Sequence, residues 1–571
     1  MVAVGDCGSA PASRVEISYG KPGYKGLIQN PFLLFLSCFA SIGGVLFGYD
    51  QGVISGVLVM HNFAQEFPTL ASDSTLQGWM VSILTLGAMF GALANGPIAD
   101  RLSRRWSILL ANAVFLVGSI IQASSVNVPM IFVGRLIAGL AIGQLSMVVP
   151  LYISELAPPN LRGGLVALQQ LGITAGIMVA FWLNFGTQHI GGTGKGQSPV
   201  AWRLPLALQC LFSLVLGAGT YFLPYTPRWL MMKGREEETL STLSRLRRVP
   251  QSDPRVINEM LEIKASALFD KETTAAMFPG VTSRVRLSIN RYKCLFTLRH
   301  LNRRLLTACL LQLIQQFTGI NAIIYYAPQI FQKIGLSGNS VDLLATGVIG
   351  ILNFLCTIPA IMFMDFWGRR KVLMVGAVGM GISQLIVATL YAVYMNSWTS
   401  HRDAGWATAI FVWVYICNFA FSIGCVNWVI PSEIFPPGVR SQAVGIAIGT
   451  NWLSNFVVAL ITPRMLASIE FGTFYFYLGE FDYTSDFAPC KMWLTAREAF
   501  CVLLAGWVYF FLPETKGVPI EEMDRIFGGK QGTQDMIRMA TICHQLGIGS
   551  TAQGLEVKED ACGHVEEAEM P

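Results

Sequence analysis

The sequence predicts an all-α membrane protein with twelve transmembrane helices in two pseudo-symmetric six-helix halves. Composition, twelve apolar runs of spanning length and an ordered motif repeat predict it. Of 571 residues, 53% are hydrophobic and only 13% charged, and mean hydropathy is +0.50. A soluble protein devotes about a quarter of its residues to charge. The net charge of +5 is small and its cations are spread over loops, so no nucleic-acid partner is expected. Twelve cysteines are scattered, with Cys38, Cys309, Cys356 and Cys417 inside apolar runs. There is no CxxC pair and the six His lack ligand spacing, so neither a metal, a cofactor nor a disulfide framework is expected. No nucleophile–base set or phosphate loop marks an enzyme.

A spanning helix needs roughly 20 apolar residues. Such runs lie near 32–60, 77–97, 106–126, 130–150, 165–188 and 202–223, and again near 305–329, 342–364, 372–395, 407–430, 441–465 and 493–512. The chain thus divides into an N-tail (1–31), a six-helix half (32–223), a polar central loop with short helices (224–304), a second half (305–512) and a largely unstructured C-tail (513–571). The first run is too long for a signal-peptide core and follows some thirty polar residues. With the N-terminus cytosolic, the inner segments carry 32 of the 40 Lys and Arg and the outer ones 7, with Arg135 inside span four. That asymmetry puts both tails in the cytosol.

Three motifs recur in order. Asp100–Arg105 (DRLSRR) follows span two and Asp365–Arg370 (DFWGRR) span eight. Glu155–Arg162 follows span four and Glu433–Arg440 span ten, while Pro224-Tyr-Thr-Pro227 follows span six and Pro513-Glu-Thr-Lys516 span twelve. Parallel halves with a site between them make a transporter architecture.

Polar residues at membrane depth must face a cavity or a partner. Gln312, Gln315 and Gln316 share one helix face through i, i+3, i+4 spacing. Asn321 falls about 140° from Gln316 on an ideal helix and joins it only if the helix unwinds near Gly319. Pro328 is expected to end the regular hydrogen bonding. Paired carboxamides match a vicinal diol but also serve interhelical bonding, and the residues alone leave both open. Asp50 in span one and Arg135 in span four can neutralise each other across helices, as a static salt bridge or as a proton switch. Small residues at Gly87-Ala88, Gly91-Ala92, Gly347 and Gly350 read as packing surfaces.

From Phe32 to Phe527 the chain resembles the sugar porters of the major facilitator superfamily. The residues that carry the resemblance are the two Asp loops, Pro150–Pro158 (PLYISELAP), Arg162-Gly163, Gln315–Asn321 (QQFTGIN), Tyr325-Tyr326, Pro431–Phe435 (PSEIF) and Pro513–Gly517 (PETKG). Phe47–Asp50 (FGYD) and Phe511–Pro519 are most similar to fungal and plant proton-coupled members. The resemblance implies the major facilitator fold and proton-coupled symport of a monosaccharide, with a hexose expected, by a monomeric unit in the plasma membrane bilayer. A passive sugar, polyol or quinate carrier and a non-transporting sensor are the rivals. It implies sugar contacts from Gln170, Gln315, Gln316, Asn321, Asn353, Trp428 and Asn451, with Trp452 a further candidate and Gln169 structural. Symporters of the family carry Asp at the position of Asp50, which implies proton coupling by Asp50 with Arg135. Asp100, Arg104, Arg105, Glu155, Arg162, Arg228, Asp365, Arg369, Arg370, Glu433 and Arg440 sit at helix ends, and their duplicate placement suggests a cytosolic gate of individually weak, partly exposed pairs.

Four departures stand out. Ser103 replaces the usual Gly of the first loop, and a looser turn is expected. Tyr225 replaces a usual Glu, removing a carboxylate from the gate and a partner from Arg228. Cys425 replaces a Pro before Trp428, where the family helix breaks. Residues 480–498 interrupt span twelve, as a retained intron or a genuine loop.

Overall fold

A computed structural model describes residues 24–158, 161–281, 283–336, 341–394, 397–398, 400–468, 473, 500–514 and 530–548. The insertion at 480–498 lies outside these residues. The described elements are all helical. Among the described residues, eleven helices or helix pairs are long and apolar enough to cross a membrane. The first six are α1–α2 (Pro31–Ala40, Ile42–Val57), α3 (Ser74–Leu102), α4 (Arg104–Ala123), α5 (Val128–Leu156), α6 (Arg162–Thr187) and α7 (Val200–Thr220). Short helices α8 (Pro227–Met232), α9 (Glu236–Arg247), α10 (Pro254–Met277) and α11 (Arg284–Thr297) follow. The second set is α12–α13 (Arg299–Phe317, Ile320–Lys333), α14 (Val341–Trp367), α15 (Arg369–Tyr394), α16–α17 (Arg402–Phe421, Ile423–Ile434) and α18 (Arg440–Ser468). Of the twelfth span, α19 (Phe500–Phe510) is described, and α20 (Lys530–Gln545) lies in the C-tail.

The helices outrun the apolar runs that announce them. α3 continues past 97 to Leu102 and α5 past 150 to Leu156, each with a proline inside. That extension carries the charged motifs onto helix ends at one end of the bundle, hereafter the charged end. Two seams join the halves, because α3 packs along α18 and α6 along α14. Small residues set these distances. A Cβ on Gly78 would stand 2.5 Å from the Leu460 carbonyl oxygen across the α3–α18 seam, and one on Gly350 would stand 2.8 Å from Met178 Cα across the α6–α14 seam. Between the seams, α2, α5, α12–α13 and α17 meet at the centre.

Two central spans are broken. Gly319 stands between α12 and α13 with φ +91°, a conformation glycine adopts without a side-chain clash. Ser422 separates α16 from α17 with φ −114° and ψ −98°. The break at Ser422 therefore forms without the family proline, and the Cys425 thiol packs there, donating to the Ala420 carbonyl at 3.6 Å. Pro328 interrupts the regular hydrogen bonding, as expected: the backbone kinks at Tyr326 (φ −121°, ψ 15°), and helix resumes to Lys333.

At the charged end α8–α11 lie against the bundle. Trp229 donates to the Asp100 carbonyl at 3.3 Å, Arg247 to the Leu156 carbonyl at 3.2 Å, and Tyr292 to the Leu93 carbonyl at 3.1 Å. Arg247 is further held by Glu259 at 2.6 Å, while Arg245 and Arg248 stand over the Phe32 ring at 5.8 and 5.5 Å.

Candidate functional site

The amides of the seventh span converge as their shared face predicts. Gln312, Gln315 and Gln316 are buried at the end of α12, facing Asn427 on α17 and Asn451 on α18. Asn451 Nδ2 donates to Gln312 Oε1 at 2.7 Å and to Gln315 Oε1 at 2.8 Å. Gln316 Nε2 donates to Asn451 Oδ1 at 3.0 Å, and Asn321 Nδ2 donates to Gln316 Oε1. The positive φ at Gly319 makes this last contact possible, turning α13 so that Asn321 points back onto the α12 face. Asn427, which the sequence reading does not mark, donates to Gln312 Oε1 at 2.5 Å and to Gln315 Oε1, while its own carbonyl accepts from Gln312 Nε2 at 3.0 Å. The side chains bonded in this cluster are all uncharged carboxamides, able to give and accept hydrogen bonds.

An aromatic wall borders the amides. Trp428 Nε1 donates to Gln170 Oε1 at 2.9 Å across the two halves, and Trp452 Nε1 donates to Ser146 Oγ at 3.0 Å. Phe47 sits between them, edge-on to Trp428 at 6.2 Å and tilted against Trp452 at 4.7 Å. Gln170 thus reaches the site through Trp428. Asn353 is buried on α14 with no described hydrogen bond to the cluster, and its Oδ1 has no partner among the described residues. Gln169 is buried on the opposite side, where its amide lies against Gly44.

Asp50 and Arg135 are both fully buried and face each other, with Nη1 3.9 Å from Oδ1. The contact is long because Arg135 is anchored elsewhere. Its Nε donates to the Met80 carbonyl at 2.7 Å and Nη2 to the Val81 carbonyl at 3.2 Å. Asp50 Oδ1 also accepts from Gln209 Nε2 at 3.2 Å, and Ser119 donates to Gln209 Oε1 at 3.1 Å. Gln209, a polar residue at membrane depth in span six, carries the same sequence signal as the seventh-span amides. The next residue of α2, Gln51, donates to Tyr325 on α13 at 3.0 Å. One helix therefore touches both the ion pair and the segment that carries Asn321.

At the charged end the repeated motifs form repeated contacts. Arg104 pairs with Glu155 at 3.0 Å and with Asp100 at 3.2 Å, and Arg369 pairs with Glu433 at 2.9 Å. Arg105 donates to the Tyr221 carbonyl and stands over its ring at 5.4 Å, while Arg370 donates to the Tyr509 carbonyl and stands over that ring at 5.3 Å. Of these contacts, the Arg104–Glu155 pair is less exposed than expected. The side chains of Arg104 and Glu155 are 5% and 6% exposed, so the pair is a buried one whose rupture would strand a charge. Ser441 donates to Asp100 Oδ2 at 3.0 Å and ties the second half to the first, and Arg440 donates twice to the Phe435 carbonyl at 3.2 Å. Arg228 lines the same recess as Asp100, Arg104, Glu155 and Arg440 and makes no ion pair among the described residues. Arg162 opens α6. Asp365 falls in α14, but its side chain lies outside the described residues.

Comparison with known proteins agrees with this architecture. The family model described as "Sugar (and other) transporter" matches residues 36–484. A probable glucose transporter of Neurospora crassa, rco-3, is 34% identical over 511 residues, 86% of this chain and 79% of that protein. A probable quinate permease of Aspergillus niger is 32% identical over 511 residues, 88% of each chain. Among solved structures, the proton:xylose symporter XylE bound to 6-bromo-6-deoxy-D-glucose superposes with a TM-score of 0.68 at 26% identity, covering 87% of this chain and 99% of that one. The chain belongs to the sugar (and other) transporter family of the major facilitator superfamily.

Proposed function

We propose that this transporter carries a neutral monosaccharide, a hexose in the first instance, inward across the plasma membrane together with a proton. The observation that carries the reading is the double attachment of α2. Asp50 faces Arg135, and the adjacent Gln51 holds Tyr325 on the helix that brings Asn321 to the amide cluster. Gln315, Gln316, Asn321, Asn353 and Asn451 take sugar hydroxyls, which replace the bonds the amides otherwise make to one another. Gln170 positions Trp428, whose ring packs on the apolar C–H face of the sugar.

The long ion pair suits a switch. Protonation of Asp50 removes the charge facing Arg135, while two carbonyl acceptors on α3 keep the guanidinium in place. α2 is then free to shift against α5, and the shift reaches Tyr325 and the amides through Gln51. The charged end, placed in the cytosol by the loop charges, opens as the Arg104–Glu155, Arg369–Glu433 and Asp100–Ser441 contacts part. One proton entering down a potential of about 100 mV contributes roughly 2.3 kcal/mol to accumulation. The likeness to a proton:xylose symporter and a probable glucose transporter supports this reading. The uncharged cluster supports a neutral ligand over the carboxylate that the quinate permease moves.

Expression in a yeast lacking its own sugar carriers tests the proposal. Addition of the transported sugar is expected to alkalinise an unbuffered medium, and an uncoupler to abolish accumulation. Uptake that only equilibrates, with no alkalinisation, would establish a passive carrier.

A further inference from the structure

Asn427 lies on α17 between the break at Ser422 and Trp428, fully buried. Its backbone carbonyl accepts from Gln312 at 3.0 Å. A carbonyl only accepts, so the Gln312 amide nitrogen must face it and Gln312 Oε1 must face away. That oxygen then needs donors, and Asn427 Nδ2 and Asn451 Nδ2 supply them at 2.5 and 2.7 Å. One backbone carbonyl thus fixes the direction of the amide chain, and Asn427 is held with its nitrogen turned inward. Its Oδ1 is left pointing away, buried and, among the described residues, without a partner. A pocket opens at this place, lined by Asn427, Gln312, Trp428, Ser154 and Ser432, with Arg440 toward the charged end.

We infer that Asn427 Oδ1 is a specificity-determining acceptor for one hydroxyl of the transported sugar, on the charged-end side of the amide cluster. The inference rests on the proposed transport of a neutral polyhydroxylated ligand. A buried carbonyl oxygen rewards a hydroxyl donor and repels a carboxylate, so the same atom disfavours acidic polyols. Arg440, the cation lining this pocket, already donates twice to the Phe435 carbonyl.

The test measures apparent affinity of wild type and Asn427→Ala in the carrier-deficient yeast. The probes are D-glucose, D-xylose, their monodeoxy analogues and quinate, with the amount of tagged protein in the membrane as control. In wild type, one analogue is expected to bind about tenfold more weakly than its parent. Asn427→Ala is expected to weaken the parent about tenfold while leaving that one analogue almost unchanged, so that the two losses are not additive. Asn427→Ser keeps an acceptor and a donor in a smaller side chain. It should preserve part of the discrimination and serves if the alanine variant does not reach the membrane. An equal loss for every analogue would overturn the inference, assigning Asn427 to packing alone and leaving the transport reading intact. A wild type that prefers quinate, or takes up no probe, would overturn both.

Discussion

The two charged-end loops each turn on a residue with positive φ, and different chemistry surrounds it. In the second half, Gly368 takes φ +82°, and the Glu514 carboxylate accepts the backbone N–H groups of Arg369 at 3.0 Å and Arg370 at 3.1 Å where α15 begins. In the first half, the corresponding position is Ser103 at φ +91°, and Tyr225 stands where the other half has Glu514. Ser103 Oγ accepts the Trp106 N–H at 3.4 Å. The Tyr225 ring stacks on Trp229 at 5.3 Å and lies under the guanidinium of Arg105 at 5.3 Å, and its hydroxyl accepts from Trp106 Nε1 at 3.0 Å. The Ser103 turn thus takes its positive φ without glycine. An anion at a helix N-terminus has been exchanged for an aromatic face under a cation. The first needs charge-assisted hydrogen bonds and the second chiefly packing, so the halves should differ in what they lose on mutation.

The largest difference is expected at the paired positions themselves. Glu514→Ala leaves two helix-start N–H groups without their carboxylate and should cost about 3 kcal/mol. Tyr225→Ala should cost about half as much, through lost stacking and one neutral hydrogen bond. Thermal unfolding of the purified protein in detergent measures both, and equal losses would break the comparison. The loop residues give a smaller effect of opposite sign. A Cβ at position 368 would stand 2.6 Å from Glu514 Oε2, so Gly368→Ser should destabilise by about 2 kcal/mol. Ser103→Gly relieves the positive φ and gives up a weak cap, for a gain of up to about 1 kcal/mol. A destabilised Ser103→Gly would show that the hydroxyl cap outweighs the backbone strain.

These contrasts also mark how far the sequence could be read. Helix faces were legible. The spacing of Gln312, Gln315 and Gln316 places them together, and the 140° offset of Asn321 demands the break that Gly319 provides. Partners were not, because sequence spacing gives a residue's face and not the helix opposite. Asn427 meets Gln312 across 115 residues, and Gln209 meets Asp50 across 159. Substitution against a family pattern was the least reliable guide. Ser103 and Cys425 each suggested a disturbed turn or kink, yet Ser103 takes its positive φ without glycine and the break at Ser422 forms without the family proline. The gate residues sit at helix ends and read as exposed, but Arg104 and Glu155 are buried in a recess that residues of α8, α10 and α11 help to line.

Asp50→Asn tests the central claim most directly, since it keeps shape and a hydrogen-bonding group while removing the titrating charge. Two readouts are needed on the same cells, uphill accumulation of sugar and counterflow exchange of labelled sugar against unlabelled. The account predicts that accumulation and sugar-induced alkalinisation vanish while exchange persists and becomes insensitive to an uncoupler. A variant that still concentrates sugar in an uncoupler-sensitive way would contradict it, because Asp50 would then not be where the proton binds.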